Sequence, residues 1–126
     1  MTRRSNFDSG HNRNEYRFDH EDGPNQIGEH RINAYHPSYS EHHPVSWITY
    51  DQYDNDTTPT IDITYFKSND EGKGHGKAIM QHLYDFYPKH FINWGHVVHP
   101  AAEHLASQFE EHNFHRTAYY VEGGYN

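Results

Sequence analysis

The residues best placed to do chemistry lie in the run Asp70-Glu71-Gly72-Lys73-Gly74-His75-Gly76-Lys77-Ala78. Three glycines at alternate positions let the backbone turn tightly and leave its N–H groups uncovered. The apolar spacing that follows, Ile79, Leu83 and Phe86, predicts a helix opening near Gly76. Its positive dipole end points back at the loop. Loop and helix together form a cradle suited to a phosphate or pyrophosphate. The run is not a P-loop, because the Gly-Lys-Ser/Thr ending is missing. It also lacks the glycine offsets and the distant acid of a dinucleotide fingerprint.

Fourteen histidines in 126 residues raise the question of a metal. Their spacing answers against one. His-Glu-x-x-His does not occur. His42 and His43 are adjacent, so on a strand they face opposite ways. His99 and His104 are too far round a helix to share a face, and His104 and His112 stand two turns apart. No metal is expected, and solvated surface accounts for most of these side chains. Cysteine is absent, which excludes disulfides, thiolate sites and a cysteine nucleophile. The formal charge of −8 argues against general nucleic-acid binding and suits a cationic partner. No apolar run approaches the roughly 18 residues of a membrane span. Arg3 and Arg4 are followed by no apolar stretch, so a signal peptide is not expected.

The elements that must position the loop are legible in outline. Residues 1–14 are polar and read as an arm; residues 15–126 read as one domain. Glu15–His20 alternates polar and aromatic residues, as a half-buried strand does. Arg31–Tyr35, Ser46–Tyr50 and Thr60–Phe66 are three further strands, the last leading into the glycine loop. Alternation on that strand sets Thr60, Asp62 and Thr64 on one face and Ile61, Ile63 and Tyr65 on the other. Pro88 stops the first helix. Phe91–Val97 is a fifth strand, and Pro100 opens a second helix with an apolar face of Ala101, Ala102, Leu105, Ala106 and Phe109. Asn113 is a candidate left-handed stop. Thr117–Val121 is the last strand. Trp47 and Trp94 are expected in the core. This order predicts an α/β (α+β) fold: a mixed, mostly antiparallel central sheet of about six strands, with two helices on its faces.

The pattern x-Gly-Lys-Gly-x-Gly-Lys-Ala, between a strand and an apolar helix, resembles the coenzyme A loop of the GNAT acetyltransferases. The later helix, strand and second helix closing on Asn113-Phe114 are similar to that family's closing segment, so the resemblance covers roughly residues 45–121. It implies a GNAT-like sheet with splayed central strands and an N-acetyltransferase using acetyl-CoA. The pyrophosphate would sit on backbone N–H groups of Lys73, Gly74, His75, Gly76 and Lys77. The pantetheine arm would pair with the backbone of Tyr65 and Phe66. Asp62 would serve as base, with His96 or His99 relaying a proton. The acceptor would be a primary amine, on a protein or a small cationic molecule, in the cytoplasm.

Three departures stand out. Glu71 holds the place of the usual Arg or Gln. Phe109 falls where the family carries a Tyr acid, leaving Ser107 as a weak substitute. The pair of helices that shapes the acceptor site has no counterpart between the first two strands, which suggests an open cleft completed by a macromolecule or a homodimer. The alternatives are a binding module of the same fold without catalysis, supported by Glu71 and Phe109, and a histidine-rich metal-binding protein.

Overall fold

The structure is a computed structural model and describes residues 15–22, 29–54, 57–69, 73–95 and 100–118. Six strands form one sheet in the order in which they occur along the chain. They are β1 (Arg17–Asp22), β2 (Glu29–Tyr35), β3 (Ser46–Tyr53), β4 (Thr60–Ser68), β5 (Phe91–Asn93) and β6 (Thr117–Ala118). β1 to β4 are antiparallel neighbours, whereas β4–β5 and β5–β6 are parallel. Each parallel step requires a crossover, supplied by α1 (His75–Phe86) and α2 (Pro100–His112). The fold is therefore α+β with a mixed, mostly antiparallel sheet.

Both helices lie on one face of the sheet rather than on two. Right-handed crossovers that step in the same direction along a sheet put their helices on the same side. The packing agrees. The Phe109 ring of α2 stacks on Tyr84 of α1, with centroids 4.8 Å apart. The Tyr84 hydroxyl in turn bonds Thr117 Oγ1 on β6 at 2.8 Å. The core fills the space between helices and sheet: Ile32 and Ala34 from β2, Ile48 and Tyr50 from β3, Ile61 and Ile63 from β4, and Ile79, Met80 and Leu83 from α1. Each fully buried aliphatic side chain contributes roughly 1.5–3 kcal/mol relative to exposure. Trp94 belongs to this core, as expected. Trp47 does not: it sits half-buried on the opposite face beneath the Arg31 guanidinium, which lies 5.1 Å from its ring centroid.

A bulge in β4 overturns the simple alternation. Thr49 pairs with Tyr65 and Tyr50 pairs with Ile63, so Thr64 has no residue opposite it. One extra residue flips all that follow. Tyr65 therefore joins Asp62 on the face without described helices and is 49% exposed, while Phe66 joins the core face.

Several ends differ from the sequence expectation. β1 is shifted to begin at Arg17, and β2 and β3 extend to Glu29 and Tyr53. β5 ends at Asn93, with Trp94 turning its N–H to the Ala118 carbonyl. Asn113 has φ −137°, so it is not left-handed; its backbone and side-chain amides both donate to the Phe109 carbonyl. The expected arm (1–14) and the continuations of β5 and β6 beyond Gly95 and Ala118 lie outside the described residues.

Candidate functional site

β4 and α1 meet at the glycine run. Gly74 is the N-cap of α1 and is left-handed, with φ 89°. A side chain there would strain the backbone, which explains the residue type. Its carbonyl accepts the first intrahelical bond, from Ala78 N–H at 3.0 Å. The N-cap offers no side-chain hydrogen bond, and the first turn carries no acidic residue. Amides of a helix first turn have no partner inside the helix. Lys73 and Lys77 flank this turn and are exposed. Glu71 and Gly72 lie outside the described residues.

His75 and Gly76 have a second role that the sequence did not show. The His75 side chain is buried, with Nδ1 2.8 Å from the Tyr16 hydroxyl, and Tyr39 meets its ring edge-on. Burial pushes the Tyr16 phenol far above its ordinary range, with Tyr39 and Glu15 adding to it. Ser46 Oγ donates to the His75 carbonyl at 3.1 Å. These bonds fix the first turn of α1 against β3 and the start of β1. At Gly76 a Cβ would lie 2.9 Å from Phe66 Cζ and 3.5 Å from Leu105 Cδ2. The absent side chain lets α1 sit close to β4 and α2.

Just before the bulge, β4 leaves its parallel neighbour. β5 pairs only with Thr60, Ile61 and Asp62, while β4 runs on to Ser68. The edge of Ile63–Ser68 that would continue toward β5 thus has no partner strand among the described residues. Asp62 stands where the pairing ends. It is half-buried, aligned with Asp51 on β3 and Asn93 on β5. Gly95, left-handed at φ 62°, turns the chain past it; a Cβ on Gly95 would be 3.5 Å from Asp62 Oδ1.

Among the sequence-predicted residues, the fold brings Asp62, Tyr65 and Phe66 onto one strand, directly before the junction that carries Lys73 to Lys77. His96 and His99 lie outside the described residues. Ser107 is exposed on α2, and the sheet lies between that helix and the Asp62 face. Phe109 is buried against Tyr84 and Trp94, so the position assigned to an acid is a core position. Among the described residues no three His, Cys, Asp or Glu side chains gather to hold a metal ion.

Sequence reasoning missed the pairing of His20 on β1 with His82 on α1. The signal was present: Phe18 and His20 share a strand face, and His82 and Phe86 share a helix face. Comparison of the chain with protein-family models, curated proteins and solved structures gave no match in any of the three. Among the described residues, fold and site define an α+β protein whose glycine-led helix N-terminus has no side-chain cap and follows a strand edge with no partner strand.

Proposed function

We propose that this chain is a GNAT-like N-acetyltransferase that moves an acetyl group from acetyl-CoA to a primary amine. One observation carries the reading: among the described residues, the N-terminus of α1, opened by left-handed Gly74, has no side-chain cap and lies next in sequence to the β4 edge that β5 leaves without a partner strand. Amides and helix dipole suit the diphosphate, with Lys73 and Lys77 adding charge. The Tyr65–Phe66 backbone offers strand-like bonds to the pantetheine. The thioester is then held near the end of the β4–β5 pairing, where Asp62 takes the proton of the attacking amine as the C–N bond forms; the C–S bond breaks, and CoA leaves as a thiolate that takes its proton from solvent. A backbone N–H near Tyr65 and Phe66 holds the developing oxyanion. The acceptor reaches Asp62 from the face that bears no described helix, which suits a protein amine, a small cationic amine or a site completed by a second copy. A cytoplasmic location goes with this reading, and a chain without cysteine is compatible with a reducing compartment.

A thermal-shift titration with acetyl-CoA tests the site. At a hundred times its dissociation constant, ligand stabilises the fold by about 2.7 kcal/mol. Gly74→Glu removes that shift by filling the cradle. Lys77→Glu is the cleaner variant, because Lys77 is exposed and helical; it weakens binding without strain. An unchanged shift in both variants refutes the assignment. Release of free CoA thiol in the presence of mixed amines then tests catalysis. The buried ring of Phe109 favours a second reading, a CoA-binding module without turnover, for which the titration is positive and thiol release is nil.

A further inference from the structure

Edge strand β1 is tied to α1 by two imidazoles. His20 Nε2 and His82 Nε2 are 2.8 Å apart. The Phe18 ring stacks on His82 at 4.1 Å and 10°, and Phe86 lies 4.5 Å from the His20 ring. Among the described residues, Phe18 and His20 link the strand to His82 and Phe86 of α1, and Tyr16, just before β1, bonds His75 at the start of the helix. A nitrogen–nitrogen hydrogen bond needs a proton on one atom and a lone pair on the other. A neutral pair meets that condition, and so does a pair carrying one extra proton, whose bond is then charge-assisted. A pair carrying two extra protons does not: two N–H groups and two like charges would face each other.

We propose that His20 and His82 form a proton-sensitive clasp that holds β1 on α1 near neutral pH and releases it when the second imidazole is protonated. Two imidazoles that share one proton take up charge in two macroscopic steps that belong to the pair. His20 is exposed on the edge strand, and partial desolvation holds its imidazole below its ordinary range, against the opposing pull of Asp19 and Asp22. Among the described residues, the carboxylates beside the pair have partners of their own. On β1, Asp19 is engaged by Arg17 on the other face, and Asp22 bonds His30 Nδ1 of β2 at 2.8 Å. On α1, Asp85 follows His82 by three residues and accepts from Gln81. A depressed imidazole makes the unfolded chain bind more protons, so stability is lost as pH falls below about 6.5. This device is independent of acetyl transfer.

The test compares wild type with His20→Gln. Glutamine offers both a donor and an acceptor, so it satisfies His82 in either protonation state. Between about pH 7 and about pH 5, the thermal midpoint of wild type should fall by at least about 4 °C more than that of His20→Gln. Hydrogen-exchange protection on wild type gives the second readout: amides of residues 17–22 should lose protection over that range before those of β3. Parallel loss of stability in the two proteins overturns the clasp. So does continued protection of β1 while nitrogen spectra show both rings charged.

Discussion

At the scale of single residues, the glycines separate into conformational and steric cases. Gly74 is needed for its left-handed φ, and Gly76 for the close approach of Phe66. Gly95 is needed for both reasons. Its φ is 62°, and a Cβ would come within 2.9 Å of the Ile63 carbonyl oxygen, a backbone atom that cannot rotate away. Left-handed conformation costs a non-glycine residue about 1–2 kcal/mol, and the clash adds to it. Gly95→Ala should therefore destabilise the protein by about 2 kcal/mol or more, read as a lower urea midpoint at unchanged slope. The sequence showed that the loop glycines free the backbone. It did not show Gly76 or Gly95 as contact positions, because those contacts come from β4 and α2, which only the fold brings near. Trp47 was misread for the same reason. An aromatic residue on a strand looks like core, and nothing local shows that Arg31 covers it on the opposite face.

At the scale of elements, the end of α1 is fixed by a residue far along the chain. Arg116, just before β6, donates from Nη1 to the Tyr87 and His90 carbonyls and from Nη2 to the Tyr84 carbonyl. Its guanidinium also lies 5.1 Å from the Tyr84 ring centroid. The last carbonyls of a helix lack internal partners, and a cation there complements the dipole. Hydrogen bonds from charged groups contribute about 1.5–3 kcal/mol. Arg116→Met should cost about 2 kcal/mol and speed amide exchange in the last turn of α1 and in β6. Strands and helices themselves were legible from apolar periodicity, from Pro88 and from Pro100. Their faces were not. The bulge at Thr64 reverses the alternation halfway along β4, and β3 supplies the partner that makes it a bulge. Likewise, the sequence shows two crossovers, but the order of β4, β5 and β6 decides that both helices share a face. Asp62 was proposed as base from the family resemblance and its place on the strand. Its neighbours Asp51 and Asn93 follow from register, which sequence alone leaves open.

At the scale of the whole molecule, the low apolar content is offset by aromatic burial, and that choice has a cost at alkaline pH. Tyr16, Tyr50 and Tyr84 are buried, and Tyr87 is half-buried against the same core. Burial raises the pKa of all four phenols, because a phenolate would lose its hydration. For Tyr50 the bond to the Tyr87 hydroxyl, at 2.8 Å, raises it further. In the unfolded chain these phenols ionise near pH 10. A folded-state pKa above the unfolded value means that the unfolded chain holds fewer protons once pH passes about 10. The stability contributed by the neutral phenols is therefore complete below that pH and is lost as pH rises toward the folded values. The protein should unfold cooperatively above about pH 10, with tyrosinate absorbance appearing together with the loss of sheet signal rather than ahead of it. Tyr50→Phe removes one such phenol. It should cost about 1 kcal/mol at neutral pH through the lost bond to Tyr87, yet flatten the alkaline decline. If Tyr50→Phe and wild type fall with the same slope, the buried phenols are not what sets the alkaline limit.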